Sequence, residues 1–544
     1  MSEDAAPVTR WWGWGDPEKS PKLGPDALGM LREVVGPAEP ALRVALEEVA
    51  MPDPRPLPRA LVDAVGEHAV LGGREHRLRR AAGQSYPDLI RLRTGRLDDA
   101  PDAIVLPGTS AEVARVLEVC AAEGVAVVPF GGGTSVVGGV EPFRGGFERL
   151  VALDLRRLRA VEVDERSLTV TLGPGLRGPE AERALSGRGL TLGHFPQSFE
   201  YATIGGFAAT RSAGQASSGY GRFDDIVTSV GMRAPAGDLR TLATPHTAAG
   251  PALRELIIGS EGTLGVITDV TVRVRPAPRE QRYEGWVAPD FAAGREAVRA
   301  MAQAGTLPDV VRVSDEAETQ GSLGLAGVSG ARRTALDAYL ALRRRTGGCI
   351  LICGWDGDRG GVERRRALSA RSLRSAGVVP LGRAPGRSWL RGRFEGPYLR
   401  EALLDLGYLV ETLETAHTWS RLGSHYESVG GAITAVLGRG GEGSLVMCHL
   451  SHAYRDGASL YFTFVAPRRA GGELEQWREV KTAACEAIVA SGGTITHHHA
   501  VGRDHAPYMP AEVGELGVEA LRALKERLDP AGIMNPGKLI PERA

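Results

Sequence analysis

The chain has 544 residues, 43% of them apolar and 24% charged, and its 65 Lys and Arg against 66 Asp and Glu leave a formal net charge of −1. This composition excludes a disordered or fibrous chain and any global basic field that would recruit nucleic acid. The length exceeds what one hydrophobic core usually serves, so two or more structural units are expected. Five scattered cysteines (Cys120, Cys349, Cys353, Cys448 and Cys485) suit reduced, buried thiols rather than a disulfide framework. Cys349 and Cys353 do not form CxxC, and no second pair completes a zinc site. With no run of about 18 apolar residues, no leader pattern after Met1 and no SKL-type address in the final PERA, a cytoplasmic protein is the expectation.

Residues 1–95 are rich in Pro, Arg and aromatic side chains, carry short helical stretches such as DALGMLREVV, and read as an N-terminal, mainly helical extension laid over a core. From PDAIVLP (101–107) the pattern changes. Thr109 and Ser110 signal a helix start, Val113, Val116, Leu117 and Cys120 recur at helical spacing up to Gly124, and VAVVPF (125–130) is a second buried strand, giving a βαβ unit. RLVALDL, RAVEV and SLTVTL add strands, the last with Leu168, Val170 and Leu172 alternating. The segment ELIIGSEGTLGVITDVTVRVRPAP (255–278) ends in a proline break that places a boundary near residue 277. Beyond it, helical TALDAYLALRRR alternates with strand-like CILICGW (349–355), SLVMCHLSHA (444–453) and SLYFTFVA (459–466), an α+β unit expected over 278–500. Leu516, Val518, Leu521, Leu524 and Leu528 then recur at helical spacing in a C-terminal segment, 501–544.

The stretch PFGGGTSVVGGV (129–140) puts three consecutive glycines directly after a strand, exposing backbone N–H groups on one concave side, with Thr134 and Ser135 adding hydroxyls. The spacing is neither GxGxxG nor GxxxxGK[ST], so neither a Rossmann site nor an ATPase loop is read. Alone, it fits a tight turn as well as a pyrophosphate cradle. Two further segments rich in Gly, Ser and Thr, 194–227 and 259–270, would line an extended dinucleotide if they converged with it.

The order of PFGGGTS, TIGG and GSEGTLGVIT resembles the vanillyl-alcohol-oxidase-like flavoprotein superfamily. The resemblance implies an α+β fold with a two-subdomain FAD-binding domain (96–277) beneath an α+β cap or substrate domain (278–500), to which 501–544 would return. It implies noncovalent FAD touching Pro129, Phe130, Gly131, Gly132, Gly133, Thr134 and Ser135; Gln197, Ser198, Thr203, Gly205 and Gly206; Ala209, Thr210, Arg211 and Ser212; and Glu261, Gly262, Thr263, Leu264, Gly265, Val266 and Ile267.

Further stretches narrow the likeness. RWWGWGD (10–16), HRLRRAAGQSYPDLIRLRTG (76–95), PDVVRVSD (308–315), YLRE with LETAHTWS (398–420), YFTF (461–464) and SGGTITHHHAVG (491–502) occur in the order of the alkyldihydroxyacetonephosphate synthase family. That family, which the chain resembles nearly end to end, exchanges the acyl group of acyl-dihydroxyacetone phosphate for a long-chain alcohol through a flavin N5 adduct, in ether-lipid synthesis. The resemblance implies Tyr461 as general acid/base, His497, His498 and His499 as an essential triplet, Arg312 as a residue needed for activity, Arg400 as the holder of the substrate phosphate, and a homodimer. A phenol near pKa 10 needs a charged partner to act at neutral pH, and the histidines are the expected source. In an extended run, His497 and His499 would face one side and His498 the other. An i,i+2 histidine pair is compatible with a metal, yet no carboxylate or cysteine at ligand spacing supports one, so none is expected. Apart from the resemblance, Arg312 and Arg400 read as ion-pair residues and Tyr461 as a strand aromatic.

Three stretches depart from the family pattern: NPGKL (535–539) is the usual finish of the superfamily's hydroxyacid enzymes, AHTWS differs, and HHHAVGRDH has Ala500 and Arg503 where Gly and Lys are expected. The alternative is therefore an FAD-dependent dehydrogenase or oxidase of a 2-hydroxy acid such as D-lactate or glycolate, and a third reading is a scaffold without catalysis. A lipid substrate would add a peripheral membrane contact. Trp11, Trp12 and Trp14 are candidates for it, although tryptophans of this kind more often pack in a core.

Overall fold

The computed structural model describes residues 9–20, 23–41, 43–325, 330–441 and 443–543. Residues 1–8, read above for a leader, and Ala544 of PERA lie outside the described residues. The helix read after Thr109 spans Ser110–Glu123. Thr109 Oγ1 accepts from the Glu112 N–H at 3.1 Å, and Gly124 closes the helix at φ +62°, where a side chain would be strained. Val113, Val116, Leu117 and Cys120 form its buried face. The strands on either side, Ala103–Val105 and Val125–Phe130, are parallel but not adjacent, because Arg149–Asp154 lies between them. Val70–Leu71 completes this four-stranded sheet at its other edge.

A second, antiparallel sheet has five strands in the order Val161–Asp164, Thr169–Leu172, Val266–Arg273, Val227–Ala234 and Gly237–Arg240. Leu168 does not extend the alternation of Val170 and Leu172; it is an exposed turn residue at φ +52°. Inward apolar residues of this sheet pack with Leu176, Leu185, Phe207 and Phe223 in one core.

The third sheet has seven antiparallel strands, in the order Val379–Gly382, Glu280–Ala288, Cys349–Gly357, Val310–Ser314, Leu445–Ala453, Gly457–Pro467 and Tyr408–Thr418. The buried faces of helices Phe291–Gln303, Arg359–Ser375, Trp419–Leu437 and Glu473–Ser491 join one side of it in a single apolar cluster containing Trp286, Trp355, Phe462 and Phe464. Burial of each tryptophan contributes at most roughly 5 kcal/mol by area. Period-two alternation then sends every second residue of the same strands to the opposite face, where the site described below is built.

Two segments tie the sheets together. The chain after the long helix Met509–Leu528 returns to the first sheet, where the Val127 N–H donates to the Ile533 carbonyl (2.9 Å) and the Asn535 N–H to the Val127 carbonyl (2.8 Å). Residues 10–15 are not helical; buried Trp14 packs edge-on against Tyr201 with centroids 5.2 Å apart, and Gly15 turns at φ +73° directly against the Tyr398 ring. Trp11 and Trp12 are half-buried, the latter under the Arg43 guanidinium. Among the described residues no helix is long and apolar enough to cross a membrane.

Candidate active site

The triple histidine is not an extended run. Residues 496–499 fold around the buried carboxylate of Glu414, which projects from the Tyr408–Thr418 strand. Its oxygens accept from the Thr496 hydroxyl (2.7 Å) and from the consecutive N–H groups of His497 (2.6 Å), His498 (3.0 Å) and His499 (2.7 Å). Burial acts to raise this carboxyl, but the three imidazoles and the Thr496 hydroxyl outweigh it and hold it well below the usual range. A second buried carboxylate, that of Glu261, accepts from the N–H groups of Val501 and Gly502, both at 2.8 Å. Ala500, between the two grips, is held at φ +74°, which accounts for the expectation of glycine there.

This fold brings the histidines to Tyr461 in a way alternation did not foresee. Tyr461 lies on Gly457–Pro467, opposite Glu414 on one neighbouring strand and His449 on the other. The His499 ring meets it edge-on (5.4 Å), His498 lies nearly parallel to it at 6.1 Å, and His449 stacks on it at 4.8 Å with planes 21° apart. His497 turns away from the phenol; its Nε2 meets the Tyr454 hydroxyl at 2.7 Å and its ring stacks on His452. His452 sits at φ +48°, at an irregularity in the strand register, and its Nδ1 meets Ser217 Oγ at 2.6 Å. Ring nitrogens of His497 and His498 and a Glu414 oxygen lie within 4.8 Å of one another, but the two Nδ1 atoms face each other at 3.0 Å and the carboxylate is taken up by its four donors.

Burial pushes the Tyr461 phenol up to about 12, an effect opposed by the Thr412 side chain and the Arg400 charge. It also drives His497, His498 and His499 below the ordinary histidine value, His499 to about 3. Burial thus works against the positive charge expected of the histidines while the Glu414 carboxylate beside them favours it, and the cation acting directly on the phenol is Arg400. Arg400, on helix Gly396–Asp405, is buried; Nη1 donates to the Gln84 carbonyl (2.9 Å) while Nε has no partner among the described residues. A buried guanidinium edge with a free donor fits an anion such as a phosphate. Arg312 does not stand with these groups. Its Nη2 donates to Glu318 Oε1 at 2.7 Å, and that oxygen also meets His449 Nδ1 at 3.0 Å.

The three glycine-rich segments do converge. A side chain at Gly131 would strike Thr203 Oγ1 and one at Gly132 the Tyr201 carbonyl, while Gly262, at φ +74°, abuts the Pro129 ring. Phe130 lies beneath Gly133, and its carbonyl accepts from Leu155 N–H. Ser135 Oγ accepts from the Gly139 N–H at 2.9 Å, and the Ser135 carbonyl from Gln84 N–H, the residue that anchors Arg400. Thr203 caps the short helix Ile204–Ala209, its Oγ1 accepting from the Gly206 N–H (3.3 Å), while the Gly205 N–H donates to the Pro174 carbonyl (2.9 Å). The Ala209 carbonyl accepts from Glu261 N–H. Gln197 and Gln215 both donate to the Arg393 carbonyl, and Gln215 Oε1 and Ser260 Oγ are buried without partners among the described residues. A cradle of unhindered backbone with spare polar atoms fits a flavin dinucleotide. Other side chains named for the cofactor are spent on the scaffold: Arg211 pairs with Asp224 and Glu255, Thr210 bonds Gly206, Ser212 bonds His194, and Leu264, Val266 and Ile267 lie in apolar cores. Thr263 bonds the Ser260 carbonyl and Gly265 presses on Arg233. The NPGKL tail belongs to this cradle: Asn535 Nδ2 donates to the carbonyls of Gly139 (3.1 Å) and Glu261 (2.7 Å), and Lys538 to that of Glu141.

Comparison with known proteins first defines the class. The FAD binding domain model matches residues 101–243 and the model of the FAD linked oxidases, C-terminal domain, matches residues 277–539. The protein is an FAD-dependent enzyme of this group, and FAD is its cofactor. Within the group it is 34% identical over 474 residues to an alkyldihydroxyacetonephosphate synthase of Dictyostelium discoideum, covering 86% of this chain and 77% of that protein. A solved alkyldihydroxyacetonephosphate synthase superposes with a TM-score of 0.84 and 28% identity over 98% of this chain and 99% of that one. Glycolate oxidase subunit GlcD of Bacillus subtilis is 28% identical over 456 residues, 83% of this chain and 91% of that protein. The chain belongs to the alkyldihydroxyacetonephosphate synthase family.

Proposed function

We propose that this enzyme exchanges the acyl group of an acyl-dihydroxyacetone phosphate for a long-chain alcohol, with residues 96–277 holding FAD, 278–500 presenting the substrate groups and 501–544 closing the flavin site. The observation that carries the reading is the constellation of Tyr461 between His449 and His498, with Arg400 acting on the same phenol. Bound FAD supplies an oxidised ring able to accept electron density from the reacting carbon. Tyr461 Oη takes the proton from that carbon and returns it, while the acyl group leaves as the fatty acid and the alcohol takes its place, so the exchange is redox-neutral. A phenol pushed up to about 12 resists ionisation, and the Arg400 charge offsets part of that resistance. Arg400 also binds the phosphate through its unpartnered Nε. His498 and His499 wall the phenol. A bilayer-borne substrate and a homodimer complete the proposal; vesicle pelleting and sedimentation of the holoenzyme test them.

The identity to GlcD and the NPGKL finish favour a 2-hydroxy acid oxidoreductase as the second reading. The tail, however, serves the flavin loops and not the face that carries Tyr461, so it bears on the cofactor and leaves the substrate open. Anaerobic incubation separates the two. Ether product from acyl-dihydroxyacetone phosphate and a fatty alcohol, without lasting bleaching of the flavin, is the expected result; bleaching by D-lactate with no ether formed would overturn it.

A further inference from the structure

Arg312, Glu318, His449 and Tyr461 form one continuous chain of contacts across the site face of the seven-stranded sheet, from the strand Val310–Ser314 to the phenol. A single oxygen, Glu318 Oε1, joins the guanidinium at 2.7 Å to the imidazole at 3.0 Å, and the imidazole lies face to face with the phenol at 4.8 Å. Glu318 is itself anchored, its N–H donating to Asp315 Oδ1 at 2.8 Å, and its second oxygen is buried without a partner among the described residues. An imidazole whose Nδ1–H is held by a carboxylate has its tautomer and ring plane fixed. Arg312 thus reaches the phenol only through two intermediaries, which gives a distant arginine a physical route to the site.

We propose that Glu318 and His449 are positioning residues through which Arg312 acts: Glu318 fixes the plane of His449, and the stacked imidazole fixes the plane of the Tyr461 phenol against His498 and His499. The inference rests on the reading of Tyr461 as the proton-transfer group. Its test uses the holoenzyme with Arg312→Lys, Glu318→Gln and the double variant, the visible flavin spectrum reporting folding. Each single change is expected to lower kcat about 10- to 100-fold, the range of a small misplacement of a catalytic group, with KM little altered. The double variant should be no slower than Glu318→Gln alone, because Arg312 works through that carboxylate. Glu318→Asp, which keeps the charge, should recover part of the loss. A second arm needs no substrate. With 3-fluorotyrosine at position 461, the 19F titration midpoint should fall by about half a pH unit in Glu318→Gln, where Arg312 is left unmatched. Additive losses in the double variant, or an unmoved midpoint, overturn the proposal. Should the holoenzyme turn over neither acyl-dihydroxyacetone phosphate nor D-lactate, the functional reading fails while the fluorine midpoint still decides this one.

Discussion

At the scale of single residues, the role proposed for Tyr461 rests on one oxygen. Tyr461→Phe keeps the ring stacked on His449 and removes only the oxygen, so turnover should drop about 100-fold or more while the yellow, FAD-bound spectrum is unchanged; absorbance and a turnover assay read both. Ala500 is the complementary case, a residue whose backbone rather than side chain matters. Its φ of +74° is one that glycine adopts without strain, so Ala500→Gly should stabilise the protein by about 0.5 kcal/mol after the greater freedom of glycine in the unfolded chain is set against it. The midpoint of urea unfolding measures this, and a lower midpoint would contradict it. Sequence supplied Tyr461 and the triplet through the likeness to a family, and nothing in their spacing foretold which imidazoles would meet the phenol. That depends on Glu414, about eighty residues earlier in the chain, whose carboxylate bends the histidine run into a turn. His449 and His452 were legible as strand residues in HLSHA; only the register with Gly457–Pro467 puts His449 against Tyr461.

At the scale of elements, the cofactor cradle is three loops and a tail. The loops were readable because glycine marks places where backbone must approach backbone, as at Gly131 and Gly132. The caps of Ser110–Glu123 were equally plain in Thr109 and Gly124. The insertion of Arg149–Asp154 between the two strands of the βαβ unit was not, since strand order depends on packing partners outside the unit. The tail was read as a clue to substrate, and the structure gives it another job. Asn535→Ala removes both bonds from its side-chain amide and leaves the carbonyls of Gly139 and Glu261 without that donor. Each such bond is worth about 1 kcal/mol, so FAD should dissociate roughly tenfold or more readily, measured by flavin fluorescence on dilution. Retention equal to that of the unaltered protein would show that the tail is dispensable.

At the scale of the whole molecule, buried neutral histidines make stability depend on acid. His425 is fully buried between Thr415 Oγ1 (3.0 Å) and Ser491 Oγ (2.7 Å), and burial lowers it to about 4; His194, buried beside Ser212, falls to about 3. In both, the folded value lies below the unfolded one, so the unfolded chain takes up protons first as pH drops through about 6.5, and stability falls from there towards the folded value. Between pH 7 and pH 5 each such group costs up to about 2 kcal/mol. His425→Gln should therefore be less stable than the unaltered protein at pH 7, with the gap narrowing by about that amount at pH 5, as urea midpoints at the two values will show. A constant gap would mean that His425 does not titrate on unfolding. The return of residues 533–535 to Val127 has a consequence for how the molecule is made. The strand that carries Val127 is synthesised early, yet its neighbour arrives only after the whole seven-stranded sheet has been translated. Until then the dinucleotide groove is open on one side, so a nascent chain can hold its vitamin-derived ligand only loosely, and colour should appear in step with completion of the polypeptide rather than with emergence of its glycine loops.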